Sequence, residues 1–242
     1  MNYKKNKKYF SDHTGVTGFI FLLIIACIAL FVMGKAIPRI GVTPGIGVAI
    51  ITILVIIFTR RPSDAYIDGV VNEEFQKLKA AALKKLGLDE EEISVAAPVQ
   101  TVAHYIPNSN QVPIWDAALK QAKYYIKGKD FLHRTPIVEM HFFGFTENEI
   151  HYYGRYISLV SDTVREKTCV MHYKDVVSIG SDTEILPAKN PATGEEDPTE
   201  KIKFDFFSVN APGSSIFCTV RNSAVADEHV NALRALVKQK KA

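Results

Sequence analysis

Three histidines, His141, His151 and His172, fall in three neighbouring predicted strands. Three imidazoles that converge on one face of a sheet can bind zinc, so a histidine-based metal hydrolase is one functional hypothesis. The sequence has no HxH or HExxH spacing to support it. Half-exposed strand histidines are therefore the preferred interpretation, and no metal site is predicted.

The other motifs that could carry chemistry point away from catalysis. Gly180-Ser-Asp and Gly213-Ser-Ser lack the GxSxG pattern of a nucleophile elbow, and the sequence contains neither a P-loop nor a GxGxxG run. The three cysteines form no CxxC pair, and Cys169 and Cys218 are expected to be reduced thiols that face each other across the sheet. We therefore predict a non-enzymatic protein with no catalytic residues and no cofactor.

The charges nearly balance, with a net charge of +3, which argues against a general nucleic-acid binder. Basic residues are nevertheless concentrated in a segment that also contains aromatic residues, and again at the C-terminus. Such residues can contact phosphates or an anionic surface, although a solvated basic face with buried aromatics is the alternative. The predicted lipid or partner contacts are Lys120, Lys123, Lys127, Lys129, Arg134, Lys238, Lys240 and Lys241.

Two uncharged apolar runs near the N-terminus predict a transmembrane hairpin over 15–61, with helices at about 15–35 and 41–59. Four lysines lie within the preceding basic segment, 1–14, and Arg60-Arg61 follows the second run. The positive-inside rule then predicts a two-pass cell-membrane protein with both termini in the cytoplasm. A cleaved secretory signal is the alternative interpretation of the first run.

An amphipathic juxtamembrane helix is predicted over 63–87. Ser63-Asp64 can cap it, Gly87 can close it, and apolar residues recur between them at steps of three and four. Packing of its apolar face on the following domain is preferred. Contact with a bilayer and pairing with another copy are the alternatives.

The remaining segment, 94–242, is predicted to be a cytoplasmic domain, so that the fold class is α+β. A short helix is expected over Trp115–Lys127. Runs of β-forming residues joined by short turns then predict an antiparallel meander, followed by one helix from Asn222 or Ser223 to about Lys240. The predicted strands are 137–145, 150–159, 164–173, 175–179, 201–209 and 215–220.

This order of strands and one final helix resembles a pleckstrin-homology-like domain of bacterial membrane proteins. The best local likeness is Tyr173-Lys-Asp-Val-Val-Ser-Ile179, and the segment from Lys201 to the final helix is also similar. The resemblance implies an antiparallel barrel or sandwich that the C-terminal helix caps. Lipid-binding members use a basic loop between the first two strands, whereas Thr146-Glu-Asn-Glu149 is acidic here.

The leading functional hypothesis is a membrane-anchored, non-enzymatic module that recruits a protein or peptide partner, or another copy of itself. Its contact would be an exposed sheet edge or the groove beside the final helix. The alternative is binding of anionic lipid head groups by the basic segment 120–134 and the C-terminal lysines. The predicted partners are thus the lipid bilayer in which the protein is embedded, a protein or second copy, and anionic lipid. No nucleic acid is predicted as a partner.

Overall fold

The computed structural model describes residues 1–11, 14–36, 43–93, 98–104, 125–189, 196–220 and 223–241. Its contacts divide the chain into two compact units, Ser11–Ser63 and a larger unit made of Met1–Phe10 and Asp64–Ala242. The helices are α1 (Tyr3–Phe10), α2 (Thr14–Ala36), α3 (Thr43–Thr59), α4 (Asp64–Gln76), α5 (Leu78–Leu86) and α6 (Ser223–Lys241). The strands are β1 (Val99–His104), β2 (Ile126–Lys127), β3 (His133–Arg134), β4 (Ile137–Phe145), β5 (Glu149–Ser158), β6 (Val164–His172), β7 (Ser178–Lys189), β8 (Glu196–Ala211) and β9 (Ser214–Val220).

The smaller unit consists of α2 and α3, which contact each other. Within the part of the chain that the structure describes, no helix is both long and apolar enough to cross a membrane. The helix α3 has 17 residues and is therefore about 25 Å long, which is less than the roughly 30 Å of a hydrocarbon core. The predicted transmembrane hairpin over 15–61 is therefore wrong, and so is the predicted two-pass membrane location with cytoplasmic termini.

The larger unit is α+β, with open antiparallel sheets. One sheet has the strand order β1-β4-β5-β6, a second has the order β7-β8-β9, and β2 pairs with β3 in a small hairpin. Five of the strands predicted from residue 137 onward are observed. The strand predicted over 175–179 is wrong for most of its length, because Tyr173–Asp175 is a 3-10 helix and β7 begins at Ser178. Both β7 and β8 are longer than predicted and pair through Pro187 up to Lys189. The pairing register shifts between Pro187 and Ala188. Such irregularities can accommodate proline in a strand, because proline has no N–H group to donate to the neighbouring strand.

Both faces of the four-stranded sheet are covered, which explains why every residue of β4 is buried. On one face, Phe143 and Tyr152 pack with residues of the three-stranded sheet and with the apolar side of α6. On the other face, Phe142 and Tyr153 pack with residues of α1, α4 and α5. A strand buried on both sides needs apolar side chains at odd and even positions alike, and Ile137–Phe145 supplies them.

The predicted helix over 63–87 is observed as two helices, α4 and α5, which separate at Lys77. Ile67, Val71, Leu78 and Ala82 are fully buried against the sheet, so the apolar face packs on the domain. Gly87 ends α5 with a left-handed φ of 68°, a conformation that glycine adopts without steric penalty.

The basic N-terminal segment contains a helix that the sequence interpretation missed. Tyr9 and Phe10 of α1 are completely buried in the larger unit. Asn6 donates a hydrogen bond from Nδ2 to the carbonyl oxygen of Leu159, at 2.8 Å. Asn6, Tyr9 and Phe10 therefore form part of the domain core.

Candidate functional site

A groove lies between α6 and the start of β7, beside a short 3-10 helix, Tyr173–Asp175. Burial raises the pKa of Tyr173 to about 12, and its hydroxyl donates to the carbonyl oxygen of Thr146 at 2.9 Å, which anchors this helix. The chain then passes from buried Val176 through Val177 to buried Ile179. Val177 is 74 % exposed and lies in the groove, whose volume is about 600 Å³.

Three basic residues of α6 line the same groove, Arg234, Lys238 and Lys241. Their spacing of four and three residues places them on one face of the helix. Arg234 donates from Nε to the carbonyl oxygen of Ile179 at 2.8 Å, and Lys241 donates from Nζ to that of Val176 at 2.6 Å. Lys238 has no ion-pair partner among the described residues. The groove therefore combines an exposed apolar side chain with three cationic groups, a combination that suits a carboxylate next to an apolar side chain.

The predicted contact residues divide between two regions of the larger unit. Lys238 and Lys241 line the groove, and Lys240 is half-buried in the last turn of α6. Lys127 and Lys129 are exposed at the β2–β3 hairpin, and neither lines the groove. Lys120, Lys123 and the short helix predicted over Trp115–Lys127 lie outside the described residues, except for the end of that helix, where β2 is observed.

Arg134 is not a surface cation, because its side chain is only 2 % exposed. Its guanidinium donates to both carboxylate oxygens of Asp68, at 2.9 and 2.7 Å, and to both of Asp130, at 2.9 and 2.7 Å. The hydrogen bonds from Arg134 hold the pKa of Asp130 well below its usual range. Arg134 therefore joins α4 to the β2–β3 hairpin. Lipid binding by segment 120–134 stays a prediction, but the charge of Arg134 is used within the protein and does not contribute to it.

The three histidines of the sequence hypothesis do not converge on one site. His141 is fully buried and its Nδ1 lies 2.9 Å from the Tyr152 hydroxyl, whereas His172 is exposed and lies 3.3 Å from a carboxylate oxygen of Glu149. Over the described ranges, no group of three or more histidine, cysteine or acidic side chains is arranged to hold a metal ion. The expectation that all three are half-exposed is wrong, because His141 and His151 are buried and His172 is exposed.

Around His141 the core is unusually polar. His141 Nε2 lies 3.4 Å from Glu139 Oε2, and burial raises the pKa of both Tyr152 and Cys218 well above their usual ranges. Gly154 has no side chain, and the Tyr152 hydroxyl and ring lie in the space that a Cβ atom would take there. The residues of this cluster are buried, and Tyr152 and Cys218 belong to the core between the two sheets.

Two features of the groove were missed in the sequence interpretation. The strand predicted over 175–179 includes Val177, although Val176 and Val177 cannot both face the core of an alternating strand. The predicted basic contacts do not include Arg234, although it lies on the same helix face as Lys238 and Lys241. Periodicity along α6 was thus the signal that would have found the site.

Compared with protein-family models, with curated proteins and with solved structures, the chain shows no match. The resemblance to pleckstrin-homology-like domains accordingly stays a prediction.

Proposed function

We propose that the protein is a non-enzymatic binding module whose groove beside α6 takes an extended acidic segment of a partner protein. One observation carries the proposal. Three cations of α6, spaced along one helix face, line the same groove as the exposed side chain of Val177. A partner that offers carboxylates beside an apolar side chain complements both features, since charged groups gain most where an apolar contact also excludes water.

The edge of the sheet supports an extended conformation for this segment. In the described part of the three-stranded sheet, β7 is an edge strand. Such an edge can accept one more strand, with side-chain pockets supplying specificity. At the groove, Arg234 and Lys241 already hold the carbonyl oxygens of Ile179 and Val176. An arriving backbone N–H group can replace these donors, which frees both cations to pair with carboxylates of the segment.

The test is selection of a random peptide library on the full-length protein. We expect enriched peptides in which acidic residues flank an apolar residue, with affinities that weaken in high salt. Lys238→Glu should weaken an enriched peptide at least tenfold, because about 1.4 kcal/mol per lost charge pair corresponds to that factor. Lys240→Glu is the matched control, since it makes the same charge change in the same helical turn outside the groove.

Binding that falls in Lys238→Glu and persists in Lys240→Glu supports the proposal. A second variant, Val177→Asp, should abolish binding without unfolding the protein, because this side chain is already mostly solvated. Enrichment of peptides without acidic residues, or equal effects of the two lysine substitutions, would refute it. Concentration-dependent dimerisation that only Lys238→Glu disrupts would identify a second copy as the occupant instead.

A further inference from the structure

A second cavity, distinct from the α6 groove, lies where the β2–β3 hairpin meets β1, β8 and β9. Its volume is about 380 Å³, within the range of sites that hold small organic molecules. Ala103, Phe204 and Val220 are buried and form an apolar floor. No residue lines both this cavity and the groove, so the two can be tested separately.

One wall of the cavity consists of two exposed apolar residues at the tip of the hairpin. Phe131 is 77 % exposed and Leu132 is 58 % exposed, although solvent exposure of neighbouring large apolar side chains is unfavourable. Phe131 also has a φ of 62°, in the left-handed region that a bulky residue rarely adopts. The sequence therefore places an aromatic ring at a position where glycine would suit the backbone better.

Hydrogen bonds within the hairpin hold the backbone of this wall. Gly128 and Leu132 are joined by a hydrogen bond of 2.9 Å, and Phe131 donates from its backbone to the carbonyl oxygen of Gly128 at 3.0 Å. Beneath the tip, Arg134 binds Asp130 with two hydrogen bonds and fastens the hairpin to Asp68 of α4. A wall fixed before a ligand arrives loses little conformational entropy on binding.

The opposite side of the cavity carries positive charge. Lys201 and Lys203 of β8 both line it and are both exposed. Lys203 Nζ lies 3.8 Å from Asp205, and Lys201 has no ion-pair partner within the described ranges. Asp68 also lines the cavity, and its carboxylate shares the single charge of Arg134 with Asp130. Lys201 is therefore the cation of the described lining that remains to pair with an anion.

The geometry points to a binding site for a small organic carboxylate with an apolar body. Its carboxylate would pair with Lys201, while its aliphatic or aromatic part would lie between Phe131 and the apolar floor. The size of the cavity, the exposed apolar wall and the unpaired cation together select this class. A ligand larger than the cavity would not fit, and a neutral ligand would not pair with Lys201.

Calorimetric titration of the full-length protein tests this site, with octanoate and 2-naphthoate as probes and with octanol as the neutral counterpart of octanoate. We expect saturable binding of at least one carboxylate, and at least tenfold weaker binding of octanol. Lys201→Glu should weaken the carboxylate at least tenfold. Lys84→Glu is the matched control, because Lys84 is an exposed lysine of α5 that does not line the cavity.

Phe131→Gly is the decisive variant, because it removes the wall while relieving the left-handed backbone. We expect it to keep its thermal midpoint and to lose at least tenfold in carboxylate affinity. Unchanged affinity in this variant would overturn the inference. So would equal effects of Lys201→Glu and Lys84→Glu, octanol binding as tightly as octanoate, or no saturable binding of either carboxylate.

Discussion

Replacing Arg134 by methionine is expected to destabilise the larger unit by about 3 kcal/mol. The substitution removes four hydrogen bonds between a buried guanidinium and two carboxylates. Removing one partner of a buried ion pair costs about 3–5 kcal/mol. The lower end applies here, because the side chains of Asp68 and Asp130 are 39 % and 43 % exposed and can be hydrated once the arginine is gone. Methionine retains the apolar stem, which limits the loss to the charged group.

Urea unfolding and thermal unfolding of the full-length protein, followed by circular dichroism, measure this loss. For a chain of this size each kcal/mol corresponds to about 2–4 °C, so we expect a thermal midpoint roughly 6–12 °C lower. Arg134→Lys should restore little of it, since one ammonium group cannot engage two carboxylates in paired geometry. Lys77→Met is the control, because the Lys77 side chain is itself half-exposed and its ion pairs are local, with Glu73 and Glu74 four and three residues earlier in the chain.

The comparison between these two substitutions tests whether the buried ion-pair network stabilises the protein. If Arg134→Met shifts the urea midpoint no further than Lys77→Met does, the buried network contributes nothing to stability. The link that we infer between α4 and the β2–β3 hairpin would then be refuted.

Three local features of the larger unit allow further predictions. Gly154→Ala should lower stability by about 1–3 kcal/mol in urea unfolding, because its new methyl group would overlap a buried tyrosine hydroxyl; Gly180→Ala, which meets no atom within 4 Å, should not. In single-cysteine variants, Cys169 should react with a thiol reagent in the native protein and Cys218 only after unfolding, because burial raises the Cys218 pKa; equal rates would contradict this. Finally, stability should fall as the pH drops below about 4, because the hydrogen-bonded guanidinium holds the Asp130 pKa under its ordinary 3.8, and folding therefore favours the ionised form. Asp130→Asn should flatten this acid dependence in urea midpoints measured across pH, and an unchanged slope would exclude the network as its source.

Much of the fold was predictable because it rests on local pattern. The run Ile137–Phe145 and the strands that follow it are rich in β-forming residues and are separated by short polar turns. The apolar spacing of α6 likewise predicts a helix with one buried side, and Val230, Leu233 and Val237 are indeed buried. These elements are specified by side chains close together in the chain.

Other elements exist only because distant residues support them. The eight-residue helix α1 is too short to be stable alone, and it forms where Tyr9 and Phe10 can enter the core. The strands β7 and β8 continue past Pro187 because each pairs with the other, although the segment between them is rich in turn-forming residues. Short length disfavours the first element and turn-forming residues disfavour the second, and tertiary contacts outweigh both effects.

The same division applies to the candidate sites. The sequence by itself determined which residues are basic or apolar, and the helical repeat that aligns Arg234 with Lys238 and Lys241. Only the tertiary structure decided that Arg134 is buried between two carboxylates, one of which lies 66 residues away in the chain. Lys201, in contrast, lines a cavity and has no ion-pair partner in the part of the chain that the structure describes. The physical reason is that the availability of a charge depends on its spatial neighbours and its access to water. These are set when separate elements pack, and no local pattern encodes them.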